Sequence, residues 1–381
     1  MSGAIDRTTQ LQDVCTVIAR DRGAAERSAR MTAEVRAAAS EARLWVMAAP
    51  REVGGLELTL MELITTFEQL GRADPAFSWI AMNSIVTGLT AAKLSEAARA
   101  PVFATLDGPY GFAGALNYSS AARVEGGWSI QGDWRFMTGS SDAGWCTVYT
   151  QDPTADGSVY AMVLPMDELD ITDTWLGASS MRGTGSNAVS GKGIFVPDER
   201  VAAMSRRPII DRPLFRVAPL VVLWAPCAAL VIGALRSAID GALSLAGPKI
   251  GSGPGGPKHA GSWRVQQAIC DASAAVDCLS AGLSAIAHEL WSHAEDSTPP
   301  PLPLRARWWS LLFATMDTAR QHSSDLYAVS TSAVYATGNP VERSFRDIHA
   351  IATTFEQPHV QAFRRAAGLV LLGYDPENIA F

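Results

Sequence analysis

The spacing of apolar residues changes twice along this chain of 381 residues. Residues 9 to 48 place apolar side chains at helical spacing, and a second amphipathic segment continues from Leu60 to Gly71. From about Tyr110 to Phe195 the pattern becomes alternation interrupted by Gly-rich turns. Helical spacing then returns and continues to about Leu372. The order predicts an α+β protein with helices first, then an antiparallel β domain, then an up-and-down four-helix bundle.

The alternating region predicts six strands, with a tight turn at Gly132 and Asp133 between the second and the third. These are Ala122–Glu125, Trp128–Gln131, Trp134–Thr138, Trp145–Thr150, Val159–Leu164 and Lys192–Val196. The last region predicts four helices, near Pro226–Ala246, Ser262–Ala294, Leu304–Thr337 and Val341–Leu372. We expect domain boundaries that give residues 1–110, 111–215 and 216–381.

An uncharged run from Val217 to Leu235 approaches the length of a membrane span. It contains Pro219 and Pro226 and continues into an amphipathic helix. We interpret it as a loop that leads into a buried helix, and we expect no membrane association.

Composition narrows the class of protein. Hydrophobic residues make up 48% of the chain and charged residues 18%, which indicates a large buried core. A net charge of −7 argues against nucleic acid as a partner. The five cysteines form no CxxC pair, which predicts buried free thiols in a reducing cytoplasm. The polar amino terminus has no apolar signal core, so we do not expect export.

Two sequence motifs could indicate other chemistry, but their positions in the predicted strands and helices exclude the sites they would form. Gly183, Gly185 and Ala188 fit a GxGxxA pattern, but they lie between predicted strands with no helix after them. His288 and His293 lie about 140° apart around a helix and cannot share a zinc ion. We therefore expect no nicotinamide site and no metal site.

The stretch from Gly126 to Trp145, GGWSIQGDWRFMTGSSDAGW, combines aromatic residues with the hydroxyl of Thr138 and a small-residue loop. It could form a wall for a flat ligand, or it could be an ordinary sandwich core. The residues alone leave both interpretations open.

Five segments resemble the acyl-CoA dehydrogenase superfamily, and within it the branch of two-component flavin-dependent monooxygenases. They are PREVGG from Pro50, GDWRFMTG around Phe136, MRGTGSN with VPDERV, and PVERSFRD from Pro340. The resemblance covers essentially the whole chain. It implies an acyl-CoA dehydrogenase-like fold: an N-terminal helical domain, a central antiparallel β domain and a C-terminal four-helix bundle.

The resemblance also implies where a flavin would bind. Phe136 would lie on the flavin ring, Thr138 would direct its hydroxyl at N5, and Met137, between them in the motif, is a further candidate cofactor-binding residue. The loop GFAGALN would bring the backbone of Gly114 and Ala115 to the pyrimidine edge. Arg182 and Arg236 are the candidate cations near N1 or the phosphate.

Departures from the dehydrogenases favour FMN over FAD. ALNYSSAAR replaces the family's TEPGAGSD run, the RxxFG segment is absent, and ATGNP reduces the GGxGY loop. The resemblance then implies reduced FMN delivered by a separate flavin reductase, with molecular oxygen as co-substrate. FAD is the alternative.

The residues that distinguish the two chemistries lie near the end of PVERSFRDIHAIATTFEQP. Monooxygenases of this branch end the motif RDxHxxxxH with a histidine, and here that position is Thr354, a candidate hydrogen-bonding substitute. Glu356 lies one residue beyond the register of the dehydrogenase base, and it is the candidate base if the protein is a dehydrogenase. Arg346, Asp347 and His349 match the motif and are expected to have structural roles.

The expected activity is oxygenation of a small organic substrate, aromatic or from secondary metabolism, by a homotetramer or homodimer. Asn83, Ser84 and Trp224 are the candidate substrate-binding residues. Two alternatives stay open: dehydrogenation of an acyl thioester by an FAD enzyme with Glu356 as base, and a flavin-free member that uses the fold as a scaffold.

Overall fold

The computed structural model describes residues 7–112, 114, 119–151, 158–247, 252–253, 256–257, 259–336 and 338–376. Its α-helices are α1 (Arg7–Ser28), α2 (Ala33–Glu41), α3 (Leu60–Ala73), α4 (Pro75–Ala91), α5 (Glu96–Val102), α6 (Pro213–Arg216), α7 (Pro219–Ala246), α8 (Trp263–Glu295), α9 (Leu302–Val329), α10 (Pro340–Phe355) and α11 (Pro358–Leu371). Its strands are β1 (Tyr110–Phe112), β2 (Ser120–Val124), β3 (Gly127–Met137), β4 (Trp145–Gln151), β5 (Val159–Pro165), β6 (Asp170–Thr172), β7 (Asn187–Pro197), β8 (Val201–Ala203), β9 (Ser252–Gly253) and β10 (Gly256–Pro257).

The chain folds into two compact units. The first runs to Thr59 and includes Ala76–Ala178 and Arg182–Leu223, and the second holds Leu60–Pro75, Ser179–Met181 and the chain from Trp224 onward. Helix α3 thus belongs with the C-terminal helices. The boundaries expected at residues 110 and 215 stay a prediction.

The first unit contains a β-sandwich. One sheet has the order β1-β4-β5-β8 and the other β2-β3-β7-β6. The core between them is built from both sheets, by Trp128 and Trp134 of β3 and by Val148 and Met162 of β4 and β5. The pairs are antiparallel except β1 with β4, which run parallel, so the expectation of a wholly antiparallel domain is wrong at this edge.

The predicted turn at Gly132 and Asp133 is wrong, because β3 continues through both residues. Gly132 pairs with Gly191 of β7 in a regular ladder. A Cβ on Gly132 would lie 2.3 Å from the indole of Trp134, which belongs to the same face of the strand two residues on. The glycine therefore makes room for a buried tryptophan.

Helix α7 begins at Pro219, so the predicted loop before Pro226 is wrong. Pro219 is the first residue of the helix, where its missing N–H costs nothing, whereas Pro226 lies in the interior. The apolar window of this helix is 83% buried within the protein, and burial on this scale outweighs the cost of one interior proline. The expectation of a buried core helix is confirmed.

Among the described residues, α7 and α8 are the helices that are long and apolar enough to cross a membrane by composition alone. The apolar window of α8 is only 28% buried. Much of its surface therefore faces outward.

In the second unit, α3 and α7 approach each other closely at two glycines. A Cβ on Gly71 would lie 2.2 Å from the carbonyl oxygen of Leu230, and one on Gly233 would lie 2.1 Å from that of Glu68. Any larger residue at either position would separate the helices.

The predicted helix Val341–Leu372 is two helices, α10 and α11, because Pro358 interrupts it. Proline lacks the N–H that would continue the α10 ladder, and it disfavours helical geometry at the preceding Gln357. The side-chain amide of Gln361 donates to the carbonyl oxygen of Phe355, the last residue of α10, and so provides this carbonyl with a hydrogen bond. Helix α9 also ends early, at Val329, and a 3₁₀ turn over Thr331–Tyr335 follows it.

All five cysteines are free thiols. Cys146 and Cys227 are buried, but Cys270 and Cys278 on α8 are exposed, so the expectation of buried thiols is wrong for that pair. Burial raises the pKa of Cys146 to about 12 and that of Cys15 to about 11. These two thiols are therefore poor nucleophiles.

Candidate functional site

A bulge in β3 turns one aromatic side chain outward. Strict alternation would bury Phe136 on the same face as Trp134, but the register against β7 shifts between Trp134 and Met137. Phe136 has a φ of +60°, and 67% of it is exposed, while the residues on either side of the bulge are fully buried. The alternative interpretation of Phe136 as sandwich core is therefore wrong. A bulky residue in the left-handed region is strained, and such strain clusters at ligand sites.

Trp175 forms a second wall beside Phe136. The two rings meet edge to face, with centroids 6.1 Å apart and planes at 81°. Asn187 at the start of β7 holds the loop, because its Oδ1 accepts hydrogen bonds of 3.1 Å from the backbone N–H groups of both Thr174 and Trp175. Its Nδ2 donates to Oγ of Ser141 at 2.9 Å. One buried amide thus fixes the aromatic corner.

Three hydroxyls form a buried chain immediately after the bulge. Thr138 Oγ1 lies 3.1 Å from Ser186 Oγ, and Ser186 Oγ lies 2.7 Å from Thr184 Oγ1. All three residues are buried. Three hydroxyls carry three hydrogens but make only two contacts with one another, so the chain can still offer a donor.

The other predicted cofactor residues of this segment differ in their surroundings. Met137 is 0% exposed and its side chain packs in the sandwich core, so its assignment as a cofactor-binding residue stays a prediction. Gly114 is exposed, and nothing lies within 4 Å of its Cβ position. Ala115 lies outside the described residues.

The two predicted cations are engaged by protein groups. In the first unit, Arg182 donates to the carbonyl oxygens of Glu26, Ala178 and Leu176, at 3.0, 2.8 and 3.2 Å. In the second unit, Arg236 donates to Glu68 at 2.6 Å. Both guanidinium groups bind the fold together, which argues against their assignment to a flavin.

Asn83 and Ser84 are buried on α4 of the first unit. The amide of Asn83 donates to the carbonyl of Trp79 at 2.7 Å. The hydroxyl of Ser84 donates to the carbonyl of Ile80 at 3.2 Å and accepts from the N–H of Tyr110 at 3.1 Å. Both side chains serve the fold, and nothing about Ser84 favours substrate contact.

In the second unit, Trp224 belongs to an aromatic cluster. Its ring meets Phe355 edge to face at 5.0 Å. The cluster continues through Phe313, Trp309 and Phe363, the last two stacked at 4.2 Å. Trp224 is half-buried, so part of the indole faces outward from this cluster.

The two candidates near the end of α10 also lie in the second unit, and they differ in burial. Thr354 is half-buried. Glu356 follows the helix as an exposed carboxylate, 50% exposed, and Arg320 of α9 donates to it at 3.1 Å. A solvated, ion-paired carboxylate is a poor general base, so the geometry disfavours the assignment of Glu356 as base.

The expected structural roles of the RDxH residues are confirmed within the second unit. Asp347 Oδ1 accepts from the N–H of Met181 at 2.6 Å, and Arg346 donates to the carbonyl of Ser179 at 2.7 Å. His349 Nδ1 lies 2.8 Å from the carbonyl of Phe345, so this nitrogen carries a proton.

A polar groove of about 630 Å³ also lies within the second unit, between α9 and α10, and His322 and His349 contribute to its lining. Arg320 at its edge is ion-paired with Asp317 at 3.3 Å as well as with Glu356. Its positive charge is therefore balanced, and the groove has no evident preference for an anion.

Sequence reasoning missed Trp175, Ser186 and Asn187. The last two belong to MRGTGSN, a segment already singled out by its resemblance to the superfamily, although only its arginine received a role. Their contacts join residues far apart in sequence, which no local pattern reports.

Comparison with known proteins identifies the family of this chain. The acyl-CoA dehydrogenase N-terminal domain matches residues 10–101, and the acyl-CoA dehydrogenase C-terminal domain matches residues 225–356. Together these matches cover more than half of the chain. The chain belongs to the acyl-CoA dehydrogenase superfamily.

Similar curated proteins include the pigment production hydroxylase of a Rhodococcus species, 27% identical over 80% of this chain and 80% of that protein. The oxygenase component of the FADH2-dependent resorcinol hydroxylase of a Rhizobium species is 25% identical over 86% of this chain and 85% of its own. Both are named as hydroxylases.

Solved structures share the fold at low identity. XiaF from Streptomyces, solved in complex with FADH2 and glycerol, aligns with a TM-score of 0.86 at 23% identity over 98% of both chains. FMN-bound TdsC from Paenibacillus aligns with a TM-score of 0.80 at 18% identity, over 97% of this chain and 98% of that one. The predicted superfamily, its flavin monooxygenase branch and the predicted fold class are confirmed.

Proposed function

We propose that this protein is the oxygenase component of a two-component flavin-dependent monooxygenase. It binds a reduced flavin delivered by a separate reductase and inserts one oxygen atom from O₂ into a small aromatic substrate. The observation that carries the proposal is the pairing of Phe136, exposed at a strained bulge, with the buried hydroxyl of Thr138 two residues on. This arrangement offers an aromatic face and a hydrogen-bonding group to a flat, polar ring system.

The residues of the first unit fit the isoalloxazine ring of a flavin. The exposed face of Phe136 suits stacking, and Trp175 limits the ring at one edge. The spare hydrogen of the hydroxyl chain suits a ring nitrogen. When bound, a reduced flavin supplies two electrons and two hydrogens, so that O₂ gives one atom to a substrate C–H bond and the other leaves as water.

The protein's own residues orient the flavin and exclude water from it. Thr138 directs a hydroxyl from a site closed to solvent, where a hydrogen bond is stronger than in water. Asn187 holds the backbone of Trp175 in place before any ligand binds.

The choice between flavins favours FMN. The segments that hold the adenosine half of FAD in the dehydrogenases are replaced or shortened here. Structural neighbours bind either FMN, as in TdsC, or FADH2, as in XiaF, and reduced FAD is therefore the alternative ligand.

An aromatic substrate suits both the relatives and the second unit. The resorcinol hydroxylase is named for an aromatic substrate. The half-buried indole of Trp224, braced by Phe355, supplies a flat apolar surface of its own. The dehydrogenase alternative loses support because Glu356 is exposed and ion-paired.

Self-association and location complete the proposal. The long α8 helix leaves most of its apolar window uncovered, and this supports a homodimer or homotetramer. The absence of disulfides among five cysteines suits a cytoplasmic protein, and a role in secondary metabolism is consistent with a relative named for pigment production.

The test is an anaerobic titration of purified protein with FMN, FAD and their reduced forms, followed by admission of oxygen with and without a phenolic substrate such as resorcinol. The proposal expects tight binding of a reduced flavin and a hydroxylated product that carries label from ¹⁸O₂. Protein that binds oxidised FAD tightly and bleaches with an acyl thioester would overturn it. So would protein that binds no flavin in any state.

A further inference from the structure

The segment from Thr184 to Asn187 is fixed by its backbone. The N–H of Gly139 donates to the carbonyl of Thr184 at 3.0 Å, and Ser140 Oγ donates to the carbonyl of Gly185 at 3.0 Å. Gly185 has a φ of +53°, which allows the tight turn. The position of this segment therefore does not depend on the hydroxyl of Ser186.

That hydroxyl instead lies between two others. Ser186 Oγ is 2.7 Å from Thr184 Oγ1 and 3.1 Å from Thr138 Oγ1. A hydroxyl has one hydrogen, so Ser186 can donate to only one of its two neighbours. If Ser186 donates to Thr184, then Thr138 donates to Ser186. If Thr184 donates to Ser186, the hydrogen of Ser186 is free to go to Thr138, and in that arrangement the hydrogen of Thr138 points away from the chain.

We infer that Ser186 is a positioning residue that sets the direction in which Thr138 presents its hydroxyl hydrogen. With Thr184 as the first donor, the chain runs from Thr184 to Ser186 to Thr138, and the last hydrogen is left for a ligand. The inference rests on the proposed function, because the ligand is the reduced flavin.

A merely structural role for Ser186 would give a different result from a positioning role. Loss of a structural hydrogen bond lowers stability and leaves flavin chemistry unchanged. Loss of the positioning bond lets the hydroxyl of Thr138 rotate. The reduced flavin still binds, but more of its reaction with oxygen yields hydrogen peroxide instead of hydroxylated product.

The experiment compares wild type with Ser186→Ala, Thr138→Val and the double variant. Each is loaded with reduced FMN and mixed with oxygen in a stopped-flow instrument, and hydrogen peroxide is measured beside hydroxylated product. Removing a buried neutral hydrogen bond corresponds to about a tenfold effect. We expect Ser186→Ala to shorten the oxygen-dependent absorbance transient by about tenfold and to raise peroxide, with reduced-FMN affinity within about threefold of wild type.

The double variant tests whether Ser186 acts through Thr138. The effects of residues that act through one another are not additive, so the double variant should be no worse than Thr138→Val. Thr138→Ser keeps the hydroxyl and should behave as wild type. The matched control is Thr147→Val, which breaks another buried hydroxyl pair in the same unit, Thr87 with Thr147 at 2.8 Å, and it should leave the transient unchanged.

The outcomes separate the two claims. A wild-type protein that binds no reduced flavin overturns the proposed function and this inference with it. A normal wild-type reaction overturns the inference alone if Ser186→Ala matches wild type, if its effect adds to that of Thr138→Val, or if Thr147→Val has the same effect.

Discussion

The ring of Phe136 meets the ring of Trp175 edge to face, with centroids 6.1 Å apart, and little else covers Phe136. A phenylalanine that is two-thirds exposed at a strained bulge contributes little to the core. Its strain must be offset by the rest of the sheet, and this cost makes sense if the ring has a ligand to contact.

Phe136→Ala should therefore separate binding from stability. We expect the free energy of unfolding to stay within about 0.5 kcal/mol of wild type, because the side chain is mostly exposed. Affinity for reduced FMN should fall about tenfold, since a stacked aromatic surface is lost. Isothermal titration under anaerobic conditions and urea unfolding measure the two quantities.

The control is Phe195→Ala, which removes a phenylalanine 48% exposed on β7 of the same sheet. It should change neither flavin affinity nor the oxygen reaction. Equal losses of affinity in the two variants would show that the effect is not specific to the bulge.

Gly132→Ala should be strongly destabilising although it adds a single methyl group. The new Cβ would lie 2.3 Å from the indole of Trp134, and this ring is fully buried in the sandwich core. We expect a loss of about 1–3 kcal/mol in the free energy of unfolding, as for other overpacked cores. Gly144→Ala is the matched control, because nothing lies within 4 Å of its Cβ position. If both variants unfold at the same urea concentration, the packing argument is wrong.

A partly exposed charge network in the first unit should make stability depend on acid pH. Arg212 donates to both oxygens of Glu52, at 2.8 and 2.7 Å, and these bonds lower the pKa of Glu52 to about 2 from the ordinary 4.5. A carboxyl with a depressed folded-state pKa stabilises the protein above its unfolded pKa. This contribution is lost as the pH falls from 4.5 towards 2.

Glu52→Gln should accordingly flatten the fall in stability over that window. Because the Glu52 side chain is 43% exposed, solvent screening keeps the effect below about 1 kcal/mol. The measurement is urea unfolding of wild type and variant between about pH 5 and about pH 2.5. Parallel curves for the two proteins would contradict the assignment of this contribution to Glu52.

The local sequence pattern predicted the order of helices and strands well. It failed where contacts between distant residues determine the structure. The Gly-Asp pair at Gly132 is typical of a turn, yet the glycine is needed under Trp134. Pro226 is typical of a helix boundary, yet the burial of α7 outweighs it. Strict alternation predicts that Phe136 is buried in the core. Only the resemblance to a flavin-binding strand predicted that its ring is exposed. The chain from Thr138 to Ser186 joins residues 48 positions apart, so no spacing rule could have found it.

Glu356→Gln decides between the proposed oxygenase and the dehydrogenase alternative. In an acyl thioester dehydrogenase this carboxylate would remove the α-proton, and the amide would abolish turnover. Here the carboxylate is half exposed and bound by Arg320, with Gln361 Nε2 also 3.4 Å away, so the substitution breaks only a surface ion pair. We expect hydroxylation rate and product yield within about twofold of wild type, and a free energy of unfolding lower by less than about 1 kcal/mol. Arg364→Met, which breaks an exposed pair with Asp317 at 2.8 Å and removes the guanidinium that lies over Phe313, serves as the stability control. A large loss of activity in Glu356→Gln, with Arg364→Met unaffected, would return Glu356 to the chemistry and make the dehydrogenase the better interpretation.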